Sequence, residues 1–176
     1  MYIAKKLMTQ NILKEYFNYD PFTGFVTWKT KHCSKIIKDS RAGSIATTHK
    51  HRVIKFMGCV YAEHRLIWLW YYGVNPQNHI DHINHDEHDN RLCNLREVTP
   101  AENNLNNSKR KDNTTGVTGV YINSKNSKKK YTAELHINGK RMFYQSFYTF
   151  DEAVTARKEQ EIIYGFHANH GITKPL

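Results

Sequence analysis

The chain has 176 residues, 39% of them hydrophobic and 12% aromatic, which fits one ordinary domain or two small ones and is too apolar for a disordered chain. Mean hydropathy is −0.71, and the absence of any run of about 18 apolar residues excludes a membrane-spanning helix. Twenty-six Lys and Arg against 16 Asp and Glu give a net charge of +10, and residues 108–141, with 9 basic and 2 acidic side chains, hold most of the surplus, as a surface facing a polyanion would. The start, MYIAKKLMTQNILKEYF, lacks the apolar stretch and small-residue cleavage site of a secretory signal, so secretion is not expected. Cys33, Cys59 and Cys93 are odd in number and contain no Cys-x-x-Cys pair. That argues against a disulfide framework or a cysteine zinc ribbon and for a reducing compartment.

In chain order, residues 11–16 read as a short helix, Asp20-Pro21-Phe22-Thr23-Gly24 as a turn and residues 25–28 as a strand. Residues 52–57 and 59–62, parted at Gly58, read as a β-hairpin. Residues 64–72 set Leu66, Ile67, Leu69, Trp70 and Tyr71 at helical spacing and are read as core, with Gly73 where a left-handed residue ends a helix. Ile80 and Ile83 around Asp81-His82 suggest one strand, and residues 95–98 a second. Thr99 and Glu102 have capping-box spacing and Pro100 falls at a first helical position, so a helix starts there with Asn103 on its first turn. Residues 108–115 carry no apolar side chain and read as a basic linker. Strands are expected over 117–123, 130–137 and 140–148, the last two joined by Asn138-Gly139, the strongest short hairpin signal. A helix over 150–164, stopped by Gly165, completes a β-β-β-α unit.

The polar segment 78–107 suits phosphodiester hydrolysis, which needs a base for water, a cation against the growing phosphorane charge and help for the leaving oxygen. His82 can be the base, because imidazole as a class titrates near neutral pH. Asp81 and Asn103 are hard oxygen donors of the kind that hold one Mg²⁺ or Mn²⁺ while leaving positions for water and phosphate. Neighbouring strand residues point to opposite faces, so this arrangement needs His82 near a strand end, with metal and base on two sides of the phosphate. His79, His82, His85 and His88 recur every three residues, which raises a zinc-dependent hydrolase or metal-storage protein as a rival. One strand and its loop wrap four imidazoles round an ion poorly.

Asp81-His82-Ile83-Asn84, Asp89-Asn90-Arg91-Leu92, Asn94-Leu95-Arg96, Val98-Thr99 and Glu102-Asn103, preceded by His64-Arg65-Leu66-Ile67-Trp68, resemble the HNH endonucleases of phage genomes and introns over about residues 50–107. That family has the ββα-metal fold. The resemblance implies that His82 is the general base, that Asn94 braces the loop, and that Asp81 and Asn103 bind the metal. His85 stands where that family commonly has Gly.

In the carboxy-terminal strands, Ala133, Leu135 and Ile137 alternate with Thr132, Glu134 and His136, and Met142 and Tyr144 with Arg141, Phe143 and Gln145. One face is expected to pack on the helix, the other to offer Lys130, Thr132, Glu134, His136, Arg141 and Gln145 to a DNA groove. Further DNA contacts are expected from Lys109, Arg110 and Lys111, from Thr118 and Tyr121, and from Lys128, Lys129 and Lys140. Gly119-Val120-Tyr121, Lys130-Tyr131-Thr132-Ala133, Asn138-Gly139-Lys140, Phe147-Tyr148-Thr149 and Glu152-Ala153 resemble the APETALA2/ethylene-response-factor DNA-binding domain over about residues 115–165. That resemblance implies three antiparallel strands and a helix, with the sheet laid in the major groove. Thr118 and Tyr131 replace the Arg and Trp usual there.

The expectation is thus an α+β chain: an HNH nuclease domain with an amino-terminal extension over 1–107, a linker over 108–115, a DNA-binding module over 116–165 and a tail over 166–176. Its expected activity is that of a divalent-metal-dependent homing-type endonuclease of phage origin acting on double-stranded DNA. It is expected to use one Mg²⁺ or Mn²⁺ per active site and no small-molecule cofactor, away from membranes, in the cytoplasm (that of the host cell for a phage gene), with a monomer favoured. The rival of another class is a sequence-specific DNA-binding regulator with a degenerate HNH part.

Overall fold

Thr9 opens the first helix: its side-chain oxygen accepts from Ile12 N, and α1 runs Gln10–Tyr16. The structure, a computed structural model, describes residues 8–31, 33–47 and 51–173. Helices and small antiparallel sheets mix along the chain in an α+β arrangement, which divides into two compact units, residues 1–99 and 100–176.

In the first unit β1 (Phe17–Asp20) pairs with β2 (Phe25–Trp28). The turn between them is held by Asp20, whose Oδ1 accepts from Phe22 N at 2.9 Å and whose carbonyl accepts from Gly24 N at 2.8 Å. β3 (Ser44–Ile45), β4 (Arg52–Phe56) and β5 (Cys59–Ala62) form a second sheet. Its tight β4–β5 turn has Met57 at φ 47 and Gly58 at φ 76, the two left-handed residues of a type I′ hairpin. α2 (Glu63–Tyr72) ends at Gly73, φ 78, whose N–H returns to the Leu69 carbonyl. Leu66, Ile67 and Leu69 of α2 are buried with Phe17, Ile54, Phe56, Ile80 and Leu95 in one core. Tyr71 departs from the core expected of it: it is about half exposed, on the side of α2 turned away from these residues. β6 (His79–His82) and β7 (Leu95–Val98) pair antiparallel with Asp81 opposite Arg96 and His82 opposite Leu95.

The second unit begins with the short α3 (Pro100–Asn104), at the proline that predicts it. β8 (Val120–Ile122), β9 (Tyr131–Ile137) and β10 (Lys140–Phe147) follow as a three-stranded sheet ordered β10-β9-β8. Asn138 and Gly139 sit at φ 51 and 76 between β9 and β10. α4 (Phe150–Ile163) starts from a capping box of Thr149 and Glu152, and its Ala153 packs with Val120 and Ala133.

A register shift between Arg141 and Phe143 changes which residues of β10 face the helix. Phe143, opposite Leu135, packs into the core, while Met142 and Tyr144 are exposed. Tyr144 lies opposite Glu134 and Gln145 opposite Ala133; Gln145 therefore belongs to the helix-side face, a correction to the alternation read from sequence. The stretch read as a linker is tied down within this unit: Lys109 N donates to Ile172 O at 3.1 Å, next to Gly171 N on Asn107 O at 2.9 Å. Residues 174–176 of the expected tail lie outside the described residues. No helix among the described residues is long and apolar enough to cross a membrane.

Candidate active site

Between β6 and β7 the chain makes a loop dense in Asn and Asp side chains, which take the place of a backbone ladder. Asn94 closes it: its Oδ1 accepts from Asn84 N at 3.0 Å and its Nδ2 donates to Asp89 O at 2.8 Å. Asn84 Nδ2 donates to Asp89 Oδ2 at 2.8 Å, and Arg91 pairs with the same carboxylate at 2.6 Å. Arg91 is the main reason that the Asp89 carboxyl lies below the usual carboxylate range. His85 holds φ 65 in this loop, a left-handed conformation that Gly adopts without strain.

β6 alternates as a strand must. Ile80 and His82 point inward, and Asp81 points outward, its Oδ2 accepting from Arg96 Nε at 3.0 Å and Nη2 at 2.8 Å. His82, only 4% exposed, sits at the strand's last position. Its Nε2 lies 2.9 Å from Asn90 Oδ1, and Asn90 Nδ2 donates to Glu63 Oε2 at 3.3 Å. This series fixes the imidazole's proton. The Glu63 oxygen also accepts from Arg52 Nε at 2.9 Å, so it serves as an acceptor and orients the Asn90 amide with its oxygen toward His82. An amide oxygen only accepts, so His82 Nε2 carries a hydrogen, and in the neutral ring the lone pair falls on Nδ1.

Glu63 is fully buried at the start of α2, with Arg41 Nη2 at 3.0 Å on its other oxygen. Burial raises the Glu63 carboxyl, and Arg41 and Arg52 pull it back down. Arg52 is itself held by the Ala42 and Gly43 carbonyls. The hairpin β1–β2 reaches the same place: Tyr19 Oη donates to Asn90 O at 2.9 Å, and burial raises the pKa of that phenol. Gly24, φ 74, allows the turn to lie on this loop, because a Cβ there would meet Arg91 N at 2.5 Å and Asn90 C at 2.6 Å. Gly24→Ala is expected to cost about 1–3 kcal/mol from backbone strain alone and to displace Asn90 from His82. Urea unfolding measures the first effect, and an unchanged midpoint contradicts the contact.

His82 also meets two histidines that the sequence pattern did not single out. His51 and His64 join it with one ligand atom of each residue within 4.8 Å of the others. Burial first, and then His82 and His51, push the His64 pKa down to about 3, so this imidazole is neutral at physiological pH. Of the series His79, His82, His85 and His88, only His82 enters such a group among the described residues; His79 and His88 are exposed. The sequence pattern does not single out Glu63, Asn90, His51 or His64 as site residues. His64 and Asn90 lie inside motif segments, but their partners come from distant elements and leave no spacing to detect.

Asn103 is half-buried on α3, in the second unit. Asp81 and Asn103 offer hard oxygen donors, so the donor chemistry fits a Mg²⁺-class ion. Among the expected DNA contacts, Arg110, Lys111, Tyr121, Lys128, Lys129, Lys130, His136, Lys140, Arg141 and Gln145 are exposed and Lys109 is half-buried. Arg110 is paired with Asp112, and the Arg141 guanidinium lies 4.7 Å over the Tyr144 ring. Thr132 is a correction: it is buried, its hydroxyl bonded to Asn123 and Ser146 across the strands, and it is closed to a groove. Thr118 is half-buried, its Oγ1 beside Gly171.

A family model described as HNH endonuclease matches residues 61–105, from the end of β5 through α3. That match assigns an HNH nuclease module to the segment holding Glu63, His64, Asp81, His82, Asn90, Asn94 and Asn103. The chain matches none of the curated proteins and none of the solved structures with which it was compared.

Proposed function

We propose that the HNH module of residues 61–105 is catalytically competent, and that the chain is a divalent-metal-dependent, homing-type DNA endonuclease of phage origin whose second unit reads its target. The observation that carries this reading is the series Glu63–Asn90–His82, which leaves the His82 Nδ1 lone pair available while the other ring nitrogen is held. A degenerate nuclease retained only for binding has no need of a base with a fixed tautomer.

In the reaction, His82 takes a proton from water at Nδ1 as the water oxygen attacks phosphorus. The resulting imidazolium still donates from Nε2 to the Asn90 oxygen, and the Glu63 carboxylate behind Asn90 favours that charge. Asn94 keeps β6 and β7 in register around the loop, so that His82 stays at the strand end. Asp81 and Asn103 are the residues that would hold the ion, which when bound neutralises developing charge on the phosphate and the departing 3′ oxygen. Arg96 restricts the Asp81 carboxylate from one side. Exposed Lys128, Lys130, Lys140, Arg141 and His136 of the second unit supply phosphate and groove contacts.

Incubating the full chain with a plasmid library carrying random inserts tests this reading. Expected is conversion of supercoiled to nicked or linear DNA with Mg²⁺ and none with chelator. Binding to DNA without conversion under any divalent ion would leave the regulator as the reading instead.

A further inference from the structure

The first unit gathers three imidazoles from three separate places: His51 just before β4, His64 in the first turn of α2 and His82 at the end of β6. Their ring centroids lie 5.0, 5.3 and 5.7 Å apart. The proposed proton transfer uses one of these rings and gives no reason for the other two. Three imidazoles this close to one another, two of them buried, concentrate nitrogen donors in a small volume, which is the chemistry of a transition-metal ligand set.

Two of the three also have an acceptor behind them. His82 Nε2 is committed to Asn90 Oδ1 at 2.9 Å, and His51 Nδ1 faces Glu87 Oε2 at 3.8 Å. An acceptor behind the second ring nitrogen is the outer shell that metal-bound histidine regularly has. In a tetrahedral zinc site the ligand nitrogens stand about 3.4 Å from one another. Ligand atoms already within 4.8 Å reach that arrangement by ring movements under about 1 Å each. Three histidines with a fourth, open position form a recognised zinc ligand set. The same set suits Mg²⁺ poorly, since that ion takes oxygen donors.

We propose that His51, His64 and His82 form a metal site for a transition ion of the zinc class, distinct from the oxygen donors Asp81 and Asn103, and that filling it takes His82 out of proton transfer. The site itself stands without the nuclease reading; the inhibitory consequence rests on it, because a coordinated lone pair cannot accept a proton from water.

The test uses the full-length protein and Co²⁺, in excess Mg²⁺, as a spectroscopic stand-in for zinc. One equivalent is expected to give visible ligand-field absorption that Zn²⁺ abolishes. His51→Gln, at a side chain 38% exposed, is expected to weaken Co²⁺ binding about tenfold or more with an unchanged circular dichroism spectrum. His64→Gln is expected to do the same, and the His51 variant decides the matter should the buried His64 variant misfold. Absence of the bands in the parent, or undiminished binding by His51→Gln, overturns the site. In cleavage assays at fixed Mg²⁺, Zn²⁺ is expected to inhibit the parent, and His51→Gln to raise the inhibiting concentration by about the same factor. Equal inhibition of the two overturns the inhibitory role. Cobalt binding is read without DNA, so a chain that binds cobalt normally and never cuts upholds the site while removing the nuclease reading and, with it, the inhibition.

Discussion

His82→Ala is expected to lower single-turnover DNA cleavage by about 10²–10⁴-fold, the usual contribution of a positioned base, while DNA affinity in a gel-shift assay stays at the parental value. The ring is buried at the end of β6, and Asn90 holds it through Nε2. Alanine removes the lone pair without touching the exposed basic residues of the second unit. Asn90→Leu separates orientation from chemistry: it keeps the volume, removes the acceptor for Nε2–H, and is expected to cost about 10–100-fold, in the range seen when an outer partner of a functional imidazole is lost. Its pH–rate profile should move as well, because the tautomer is no longer fixed. Parental cleavage by His82→Ala would end the assignment of this residue as base.

The second large effect is on stability. Glu63→Ala is expected to destabilise the first unit by about 3 kcal/mol, read as a lower urea midpoint, since removing one partner of a buried ion pair strands the other. Here two guanidinium groups lose their counter-charge, Arg41 at 3.0 Å and Arg52 at 2.9 Å, and the Asn90 amide loses an acceptor. The Arg41 and Arg52 side chains keep 24% and 18% of their exposure, so water compensates in part, which places the cost at the low end for a buried pair. Adding Arg52→Met to Glu63→Leu should recover part of the loss, because it removes a stranded charge together with its partner. An unchanged midpoint in Glu63→Ala would mean that the cluster adds nothing to the fold.

Local chemistry made much of this architecture legible. Gly58, Gly73 and Asn138-Gly139 mark turns whose backbone needs positive φ, and each lies where a hairpin or helix ends. The pair β6–β7 and the start of α3 at Pro100 follow from alternation and proline chemistry. What stayed hidden depends on tertiary placement. β1, Phe17–Asp20, carries two polar residues in four and reads as a strand only once Phe17 and Tyr19 have a core to enter. Simple alternation does not give the faces of β10, because a bulge shifts the period by one residue and no side chain near Met142 announces it. His82, Asn94 and Asn103 stood out as motif positions. The residues around His82, namely Glu63, His64, Asn90 and His51, come from a helix start, a loop and a strand approach, and only folding brings them to one imidazole.

The fastening of the β6–β7 loop by the amino-terminal hairpin sets how much of the chain the HNH module draws on. Tyr19 and Gly24 hold Asn90 from outside the recognised family segment, and Arg41 and Arg52 neutralise Glu63 from outside it too. A fragment trimmed to residues 61–105 would retain every motif letter yet lose what aims them. An HNH module with its loop held in place therefore has to reach back through β1, and variation between Tyr19 and Arg52 can disturb the surroundings of His82 without altering one signature position.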